Sequence, residues 1–341
     1  MEWHRLDTIK YFSSKIFIAA VAVILLCIQS CAPSANMRKY EGYRFIQNNT
    51  ASIPAGKVKV TYLGVSTLLI DDGETQLLMD GFVTRPSLGK VAFGRIQSDT
   101  LKIKEVIQQL GINRLKAVFT AHSHYDHALD APQFSLLSNA TLFGSLSTLN
   151  IGRGIGLSEQ QMQQYQPGKP LPFGKFTVTI LNSKHTPPFT FMGKSNDDLG
   201  IEIKKPLRQP SKTEEFTEGG AYDVLVQYGN HSLLIKASTN FIPSAFDSLH
   251  VDVLFQGTAS LGKQGTGFRD SLYSETVQKL KPALFVPIHW DNFFKPLNTK
   301  LKALPKLAGN LKEDLNYLIK RTKEDNIQFH LMQGYDSVIL F

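Results

Sequence analysis

The chain has 341 residues, of which 42% are hydrophobic and 19% are charged. These proportions are typical of a globular protein that buries a core of normal size, and the chain has no low-complexity tract. The net charge of +8 is modest for this length, and the basic residues are scattered along the chain. A nucleic-acid partner is therefore not expected.

The N-terminus has the order of residues that is typical of an export signal. Arg5, Lys10 and Lys15 precede an uninterrupted apolar run at residues 16–28. A helix over this run, at about 1.5 Å per residue, is shorter than the roughly 30 Å hydrocarbon core of a bilayer. The pattern indicates a signal peptide rather than a membrane span, and we assign residues 1–30 to it.

The end of this signal resembles the bacterial lipoprotein box. Residues 28–31 read IQSC, with an aliphatic residue three positions before the cysteine and a small residue directly before it. The resemblance implies that Cys31 is lipidated and anchors the protein in the membrane of the bacterial cell envelope. Ala32 follows the cysteine, which favours the outer membrane if the cell is Gram-negative. A plain signal peptide and an uncleaved anchor are the alternatives.

The next segment, residues 31–54, is polar and has few apolar positions in any regular spacing, which predicts a tether. We expect a single domain over residues 55–341. Its first half begins with a strand at residues 57–64 and two strands within residues 66–81. A long loop is predicted at residues 82–100. A helix at residues 101–110 and a short buried strand at residues 115–121 follow.

The second half of the domain has the same alternation of short apolar strands and amphipathic helices. The predicted strands cover residues 176–181, 223–228, 232–237, 251–255 and 283–288, and the predicted helices cover residues 271–281 and 311–323. Strands that alternate with helices in two halves predict an α+β fold. In it, two mixed β-sheets pack face to face and the helices lie outside.

A cluster of histidines follows the strand at residues 115–121. The stretch AHSHYDHALD contains three of the nine histidines of the chain. His122 and His124 are two residues apart just past the strand end, which places both side chains on one side of an extended backbone. A tight turn brings Asp126 and His127 to the same point. Imidazole and carboxylate are ligands that zinc, iron and manganese accept, so the cluster predicts a metal site.

Two further histidines occupy corresponding positions. His185 and His289 each end a predicted strand, as His122 does. The carboxyl ends of strands are the place where α/β sheets gather their functional residues. We therefore predict that both complete the metal site.

The order H-x-H-x-D-H, with one histidine about sixty residues later and another late in the chain, resembles the metallo-β-lactamase superfamily. The resemblance extends from residue 57 onward and implies an αβ/βα sandwich. It implies that Asp80, at the end of the opening strands, supports the ligand loop. It also implies one metal held by His122, His124 and His185, and a second held by Asp126, His127 and His289.

One position departs from the family pattern. The family usually places an aspartate that bridges two metals in a Gly-Asp-Thr turn, but Ala237 and Ser238 stand where Gly and Asp would be. Because a hydroxyl is a weaker ligand than a carboxylate, we expect one tight zinc and a weaker second one. Manganese and iron are alternatives. Asp291 is a candidate for the bridging role, or alternatively a residue that supports the ligands.

The resemblance implies hydrolysis, since a metal lowers the pKa of bound water and polarises the bond that is attacked. Asp126 is the expected catalytic residue, as proton acceptor or as the group that orients the water. The segment PIHWDNFF and the tyrosine of HSHYDH resemble the branch of ascorbate-phosphate lactonase and the phospholipase D for N-acylphosphatidylethanolamine. The expected substrate is a small molecule or lipid with an ester, lactone, amide or phosphodiester bond. A non-catalytic metal-binding envelope lipoprotein and an iron oxygenase are the alternatives.

Overall fold

The computed structural model describes most of the predicted domain and part of the predicted tether. It describes residues 33–44, 52–188, 190–191, 194–195, 198–298, 300–306 and 309–341. The predicted signal peptide and Cys31 lie outside the described residues. Within the described part of the chain, none of the helices is both long enough and apolar enough to traverse a bilayer.

Fourteen of the strands form two sheets of equal size. The first sheet contains β1 (Val58–Tyr62), β2 (Leu68–Asp71), β3 (Gln76–Met79), β4 (Leu115–Phe119), β5 (Thr141–Gly144), β6 (Met162–Gln164) and β16 (Ser337–Leu340). The second sheet contains β7 (Pro170–Phe173), β8 (Phe176–Asn182), β11 (Tyr222–Tyr228), β12 (His231–Lys236), β13 (Val253–Gly257), β14 (Leu284–Ile288) and β15 (Gln328–Phe329). A two-stranded ribbon is formed by β9 (Thr190–Phe191) and β10 (Lys194–Ser195).

Both sheets are mixed. The first has the order β16-β1-β2-β3-β4-β5-β6, and the second has the order β15-β14-β13-β12-β11-β8-β7. Each sheet has antiparallel pairs on one side and parallel pairs on the other. The change occurs between β3 and β4 in the first sheet, and at the parallel pair β12–β13 in the second. The parallel strands of each sheet therefore end at one common edge.

The helices cover the outer faces of the sheets. They are α1 (Leu88–Phe93), α2 (Thr100–Leu110), α3 (Tyr125–Ala128), α4 (Ala131–Ser138), α5 (Leu146–Gly154), α6 (Thr266–Tyr273) and α7 (Leu311–Glu324). Leu78 and Val118 of the first sheet pack in one buried cluster with Ile103 of α2 and Phe134 of α4. The alternate residues of the same strands point the opposite way, toward the second sheet.

The main core lies between the two sheets. Met79 and Phe119 of the first sheet belong to the same buried cluster as Val178 and Ile235 of the second. The sheets touch directly, because the ring of Phe119 lies 5.7 Å from the ring of Phe173. This arrangement confirms the predicted sandwich of two mixed sheets with external helices.

The boundaries of some predicted elements were wrong. The predicted loop at residues 82–100 contains helix α1, which has six residues, none of them fully buried, and is too short to show a helical period. The helix predicted from residue 271 begins at Thr266 and continues through a π-helical turn at Ser274–Gln278. The short elements α3, α4, β5 and α5 were not predicted, since each spans too few residues to show a period.

Part of the predicted tether packs against the domain. Residues 37–43 form a 3-10 helix in which Tyr40 is buried and donates a hydrogen bond to the carbonyl oxygen of Lys312 in α7, at 3.3 Å. Arg44 forms two hydrogen bonds with Asp336, at 2.6 and 2.7 Å. Tyr40 and Ala35 bury apolar surface, which explains why this polar-looking segment is held in place.

Candidate metal centre

The six predicted ligands lie in two groups at the edge where the strands end. In each group, the three candidate ligand atoms lie within 4.8 Å of one another. The structure places His122, His124 and His185 in the first group, and Asp126, His127 and His289 in the second. We call these the three-histidine group and the aspartate group. The two groups match the two sets that the resemblance implied.

Helix α3 explains how four of the ligands fit into six consecutive residues. His124 is the N-cap of this short helix, and its carbonyl oxygen accepts the N–H groups of His127 and Ala128 at 3.0 and 2.8 Å. His122 lies before this turn, three residues after the end of β4. The change from strand to helix thus turns Asp126 and His127 toward the aspartate group, while His122 and His124 remain in the other.

The surroundings of His122 fit a bound cation. Both of its ring nitrogens are buried and have no hydrogen-bond partner among the described residues. Burial, reinforced by the neighbouring histidines, holds the pKa of His122 well below its usual range. The ring is therefore neutral and has a free lone pair. Buried polar atoms without partners are rare, and coordination to a metal ion would satisfy this one.

The other two members of the three-histidine group have their tautomers set by carboxylate or carbonyl oxygens. The Nδ1–H of His185 donates to the carbonyl oxygen of Thr186 at 2.9 Å, and burial lowers the pKa of His185 to about 3. Nε2 of His124 lies 3.0 Å from Asp198 Oδ2. Because a carboxylate only accepts, Nε2 of His124 carries the proton and Nδ1 offers the lone pair.

Asp80 orients His127 in the aspartate group. Its Oδ2 lies 2.8 Å from His127 Nδ1 and also accepts the hydroxyl of Ser66, while its Oδ1 accepts the N–H of Ala121 at 2.8 Å. Burial alone would lower the pKa of His127, but the carboxylates of Asp80 and Asp126 outweigh it and raise the pKa. The contact directs Nε2 of His127 at the aspartate group, in agreement with the supporting role expected for Asp80.

Asp126 is the charged member of the aspartate group. Its Oδ2 lies 3.3 Å from Nε2 of His289 and 3.7 Å from Nε2 of His127. Burial alone would raise the pKa of Asp126, but His127 and His289 outweigh it and hold the pKa below its usual range. The side chain is an ionised carboxylate that faces two imidazole nitrogens.

His289 closes the aspartate group from the second sheet. It follows β14 directly and has a positive φ of 57°. Its backbone N–H donates to the carbonyl oxygen of Val65 at 2.6 Å, and its Nδ1 is buried with no partner in the described part of the chain. Its Nε2 lies 3.3 Å from Nε2 of His127. A cation held by the aspartate group would take both imidazole nitrogens as ligands.

Ser238 lies in the loop after β12, beside the segment of His185. Its side chain is buried, and the next residue, Thr239, donates its N–H to the hydroxyl of Thr186 at 3.0 Å. Asn240 donates to the carbonyl oxygen of His185 at 2.6 Å. These bonds fix the loop against the ligand segment, where Ser238 offers a hydroxyl instead of a carboxylate.

Asp291 is not placed to bridge two metals. Its Oδ1 accepts the N–H of Val65 at 2.7 Å and the hydroxyl of Tyr62 at 3.0 Å. Its Oδ2 forms an ion pair with Arg85, and both side chains are fully buried. Since both oxygens have partners outside the ligand groups, the structure favours the supporting role over the bridging role.

Two residues that contact the site were not predicted from the sequence. They are Asp198, which contacts His124, and Arg85, which forms the ion pair with Asp291. Asp198 is one of several carboxylates in a polar stretch, and nothing in its spacing connects it with His124, which lies 74 residues earlier. Arg85 lies in the predicted loop, 206 residues before Asp291. Both contacts depend on the tertiary fold, so no local pattern identifies them.

Aromatic rings line one side of the aspartate group. The ring of Phe293 lies 5.7 Å from the ring of His289 and 6.4 Å from the ring of Tyr125. Phe82 lies 6.0 Å from Tyr125. Phe293 remains partly exposed, so this wall presents apolar surface next to the ligands.

The comparisons with known proteins agree with this geometry. Residues 60–287 match the family model of the metallo-β-lactamase superfamily. The chain has no match among curated proteins. Among solved structures it is similar to Igni18, a metallo hydrolase from the archaeon Ignicoccus hospitalis, with 13% identity and a TM-score of 0.53 over 84% of this chain and 99% of that one. It is also similar to an isothiocyanate hydrolase from Delia radicum gut bacteria, with 13% identity and a TM-score of 0.51 over 83% and 99% of the two chains. At this identity the likeness shows the fold.

The contact between Asp198 and His124 generates a first prediction. We expect Asp198→Ala to weaken zinc binding at the three-histidine group by about 10–100-fold, because the imidazole loses the acceptor that fixes its tautomer. Calorimetric titration of the metal-free protein with zinc measures this. Asp252→Asn is the control, since Asp252 faces His231, at 3.6 Å, outside both ligand groups. Unchanged zinc affinity in Asp198→Ala would contradict the assignment.

Proposed function

Because the chain belongs to the metallo-β-lactamase superfamily, we propose that it is a metal-dependent hydrolase of an ester, lactone, amide or phosphodiester. The observation that carries the proposal is the pair of ligand groups. One group contains three imidazole rings, and both ring nitrogens of His122 there are buried without partners among the described residues. In the other group, two imidazole rings face the ionised carboxylate of Asp126. This donor set is the one that zinc prefers, and manganese and iron accept it as well. A divalent cation, when bound, supplies Lewis acidity that activates water and polarises the bond to be cleaved.

Asp126 is the residue that we assign to proton transfer. Burial would raise the pKa of Asp126, but His127 and His289 have the larger, opposite effect and hold the pKa below its usual range. The carboxylate is therefore ionised at neutral pH. It can accept a hydrogen bond from water and hold that water in a fixed orientation. His127, oriented by Asp80, keeps its Nε2 on the same side. The acidic and basic groups of the site are thus fixed before a substrate binds.

The substrate that fits best carries an apolar group. Phe293 and Tyr125 present aromatic surface beside His289, and binding an acyl or alkyl chain there would remove this surface from water. The segment PIHWDNFF also favours a substrate with an apolar group, because it resembles the lactonase and N-acylphosphatidylethanolamine phospholipase D branch. We therefore favour a lipid, or a small molecule with an apolar portion.

We further propose that the protein is a lipid-anchored lipoprotein of the bacterial cell envelope. The support is the order of basic segment, short apolar run and cysteine at residues 1–31. A lipid anchor would hold the site close to a membrane, where lipid substrates are concentrated.

The proposed reaction predicts a loss of activity when metal or ligands are removed. We expect chelation to abolish hydrolysis of generic ester and phosphodiester substrates, and added zinc to restore it. Asp126→Asn should lower kcat/KM by about 10²–10⁴-fold, because the proton acceptor is lost. His124→Ala should lower kcat/KM by more than about 100-fold, because a lost ligand costs at least as much as a lost supporting contact.

His231→Ala is the matched control for these variants. His231 lies in a hairpin at the start of β12, about half exposed, and belongs to neither ligand group. It should retain wild-type turnover and the same unfolding temperature. A His124→Ala protein that is folded and fully active would exclude the catalytic assignment. Metal binding without turnover of any substrate would favour a non-catalytic metal-binding lipoprotein instead.

A further prediction concerns the number of metals. We expect zinc to bind in two steps, with the second step weaker, because no carboxylate stands at position 238 to offset the repulsion between two dications. Ser238→Asp should strengthen the second step. Titration and elemental analysis of both proteins test this, with Ser238→Asn as a neutral control of the same shape. Two equally tight zinc ions in the wild-type protein would contradict the prediction.

The proposed anchor predicts that Cys31→Ala releases the protein from the membrane fraction and abolishes labelling by a palmitate analogue. Cys27→Ala is the matched control, because Cys27 lies within the apolar run and should leave both properties unchanged. Membrane retention and labelling of Cys31→Ala would show that the anchor is wrong.

A further inference from the structure

A fully buried ion pair lies directly behind the aspartate group. The side chains of Arg85 and Asp291 are both 0% exposed, and their contact joins the loop after β3 to the loop after β14. Asp291 stands two residues after the ligand His289. A charge pair buried this completely is held by its surroundings, because each partner would be strongly destabilising without the other.

Asp291 is connected to the backbone of His289 through one residue. Its Oδ1 accepts the N–H of Val65 at 2.7 Å. The carbonyl oxygen of the same Val65 accepts the N–H of His289 at 2.6 Å. Tyr62 donates its hydroxyl to both Asp291 Oδ1, at 3.0 Å, and the Val65 carbonyl oxygen, at 3.1 Å. Val65 is therefore held at both ends between the carboxylate and the ligand.

Three residues of this network have an unfavourable backbone conformation that surrounding contacts must stabilise. Val65, Arg85 and His289 have φ values of 52°, 50° and 57°, in the left-handed region that residues other than glycine rarely adopt. For a β-branched residue such as valine this conformation is especially unfavourable. Conformations of this kind persist where surrounding contacts over-determine them.

The packing around the pair leaves little room for adjustment. Gly64 has a φ of 85°, and a Cβ atom there would lie 2.8 Å from Arg85 Nη1 and 3.0 Å from Asp291 Oδ2. The turn between β1 and β2 therefore closes tightly over the ion pair. A displacement of the pair would move Val65, and with it the hydrogen bond to His289.

We propose that the Arg85–Asp291 ion pair is a positioning device for His289, and that it sets the cation affinity of the aspartate group. Nε2 of His289 lies 3.3 Å from Asp126 Oδ2, so a small shift of its backbone opens the group. The three-histidine group is positioned by other elements, through β4, helix α3 and the Thr186 carbonyl oxygen. The inference rests on the proposed metal centre and goes beyond it, because it predicts an effect on one group alone.

The test is a calorimetric zinc titration of the full metal-free protein in four forms. His124→Ala and His289→Ala identify which binding step belongs to which group. Asp291→Ala removes the acceptor for the Val65 N–H, and we expect it to weaken the step of the aspartate group by about 10–100-fold. The step of the three-histidine group should change by less than about twofold. The wild-type protein is the reference.

A second variant covers the case in which Asp291→Ala does not fold. The double substitution Arg85→Met and Asp291→Asn removes both charges, keeps an acceptor oxygen near Val65 and avoids an unpaired buried charge. We expect the double variant to fold. It should weaken zinc binding at the aspartate group measurably, but by less than Asp291→Ala does. Thermal unfolding of the metal-free proteins reports whether each variant is folded.

Asp314→Ala is the matched control. Asp314 is also a buried carboxylate that accepts a backbone N–H, from Gly262 at 3.0 Å, and it faces Arg269 at 3.8 Å. It lies in α7, outside both ligand groups, so it should leave both binding steps unchanged. Equal weakening of both steps in Asp291→Ala, or an unchanged step of the aspartate group in the folded variants, would overturn the proposal. A wild-type protein that binds no zinc would instead overturn the metal centre itself.

Discussion

Five imidazole rings and one carboxylate lie close together in a small volume at the ends of the strands. The rest of the fold must hold these six side chains together. The ring of His122 lies 4.0 Å from that of His127, 4.6 Å from that of His185 and 4.8 Å from that of His124. Protonated imidazoles at such distances would repel one another strongly in a site of low dielectric. Burial and mutual repulsion therefore keep His122 and His185 neutral, with lone pairs available for a cation. The ring nitrogens of His122 have no other partner within the residues that the structure describes, so a bound cation would satisfy one of them.

The two sheets satisfy this constraint from opposite sides. The first sheet delivers His122 at the end of β4 and then turns the chain through α3. The second sheet delivers His185 after β8 and His289 after β14. Because both sheets end at the same edge, residues that are far apart in the chain reach one point on rigid elements. Side chains on strand ends are held more firmly than side chains on long loops, which is what a preorganised site requires.

Much of this was predictable from the sequence, and what was not has a common cause. The pattern of apolar residues predicted nine of the fourteen strands in the two sheets, and the offsets of His122, His124, Asp126 and His127 predicted the ligand cluster. Those signals are local. The contacts of Asp198 with His124 and of Arg85 with Asp291 join residues 74 and 206 positions apart, so no window of sequence contains them. The short helix α3 was missed because its turn is dictated by the site, while one helical turn shows no period.

The two groups are held by different means, and this decides how they compare as cation sites. Charge alone would give the aspartate group the higher cation affinity, because Asp126 belongs to it and the carboxylate of Asp80 contacts His127. Its third member, however, has a left-handed backbone at His289, whose N–H donates to the carbonyl oxygen of Val65. The three-histidine group needs no such conformation, since His122, His124 and His185 all have negative φ values. With a hydroxyl at Ser238 where a carboxylate would join the two sites, we infer that the backbone at His289, rather than the charge of Asp126, limits the cation affinity of the aspartate group.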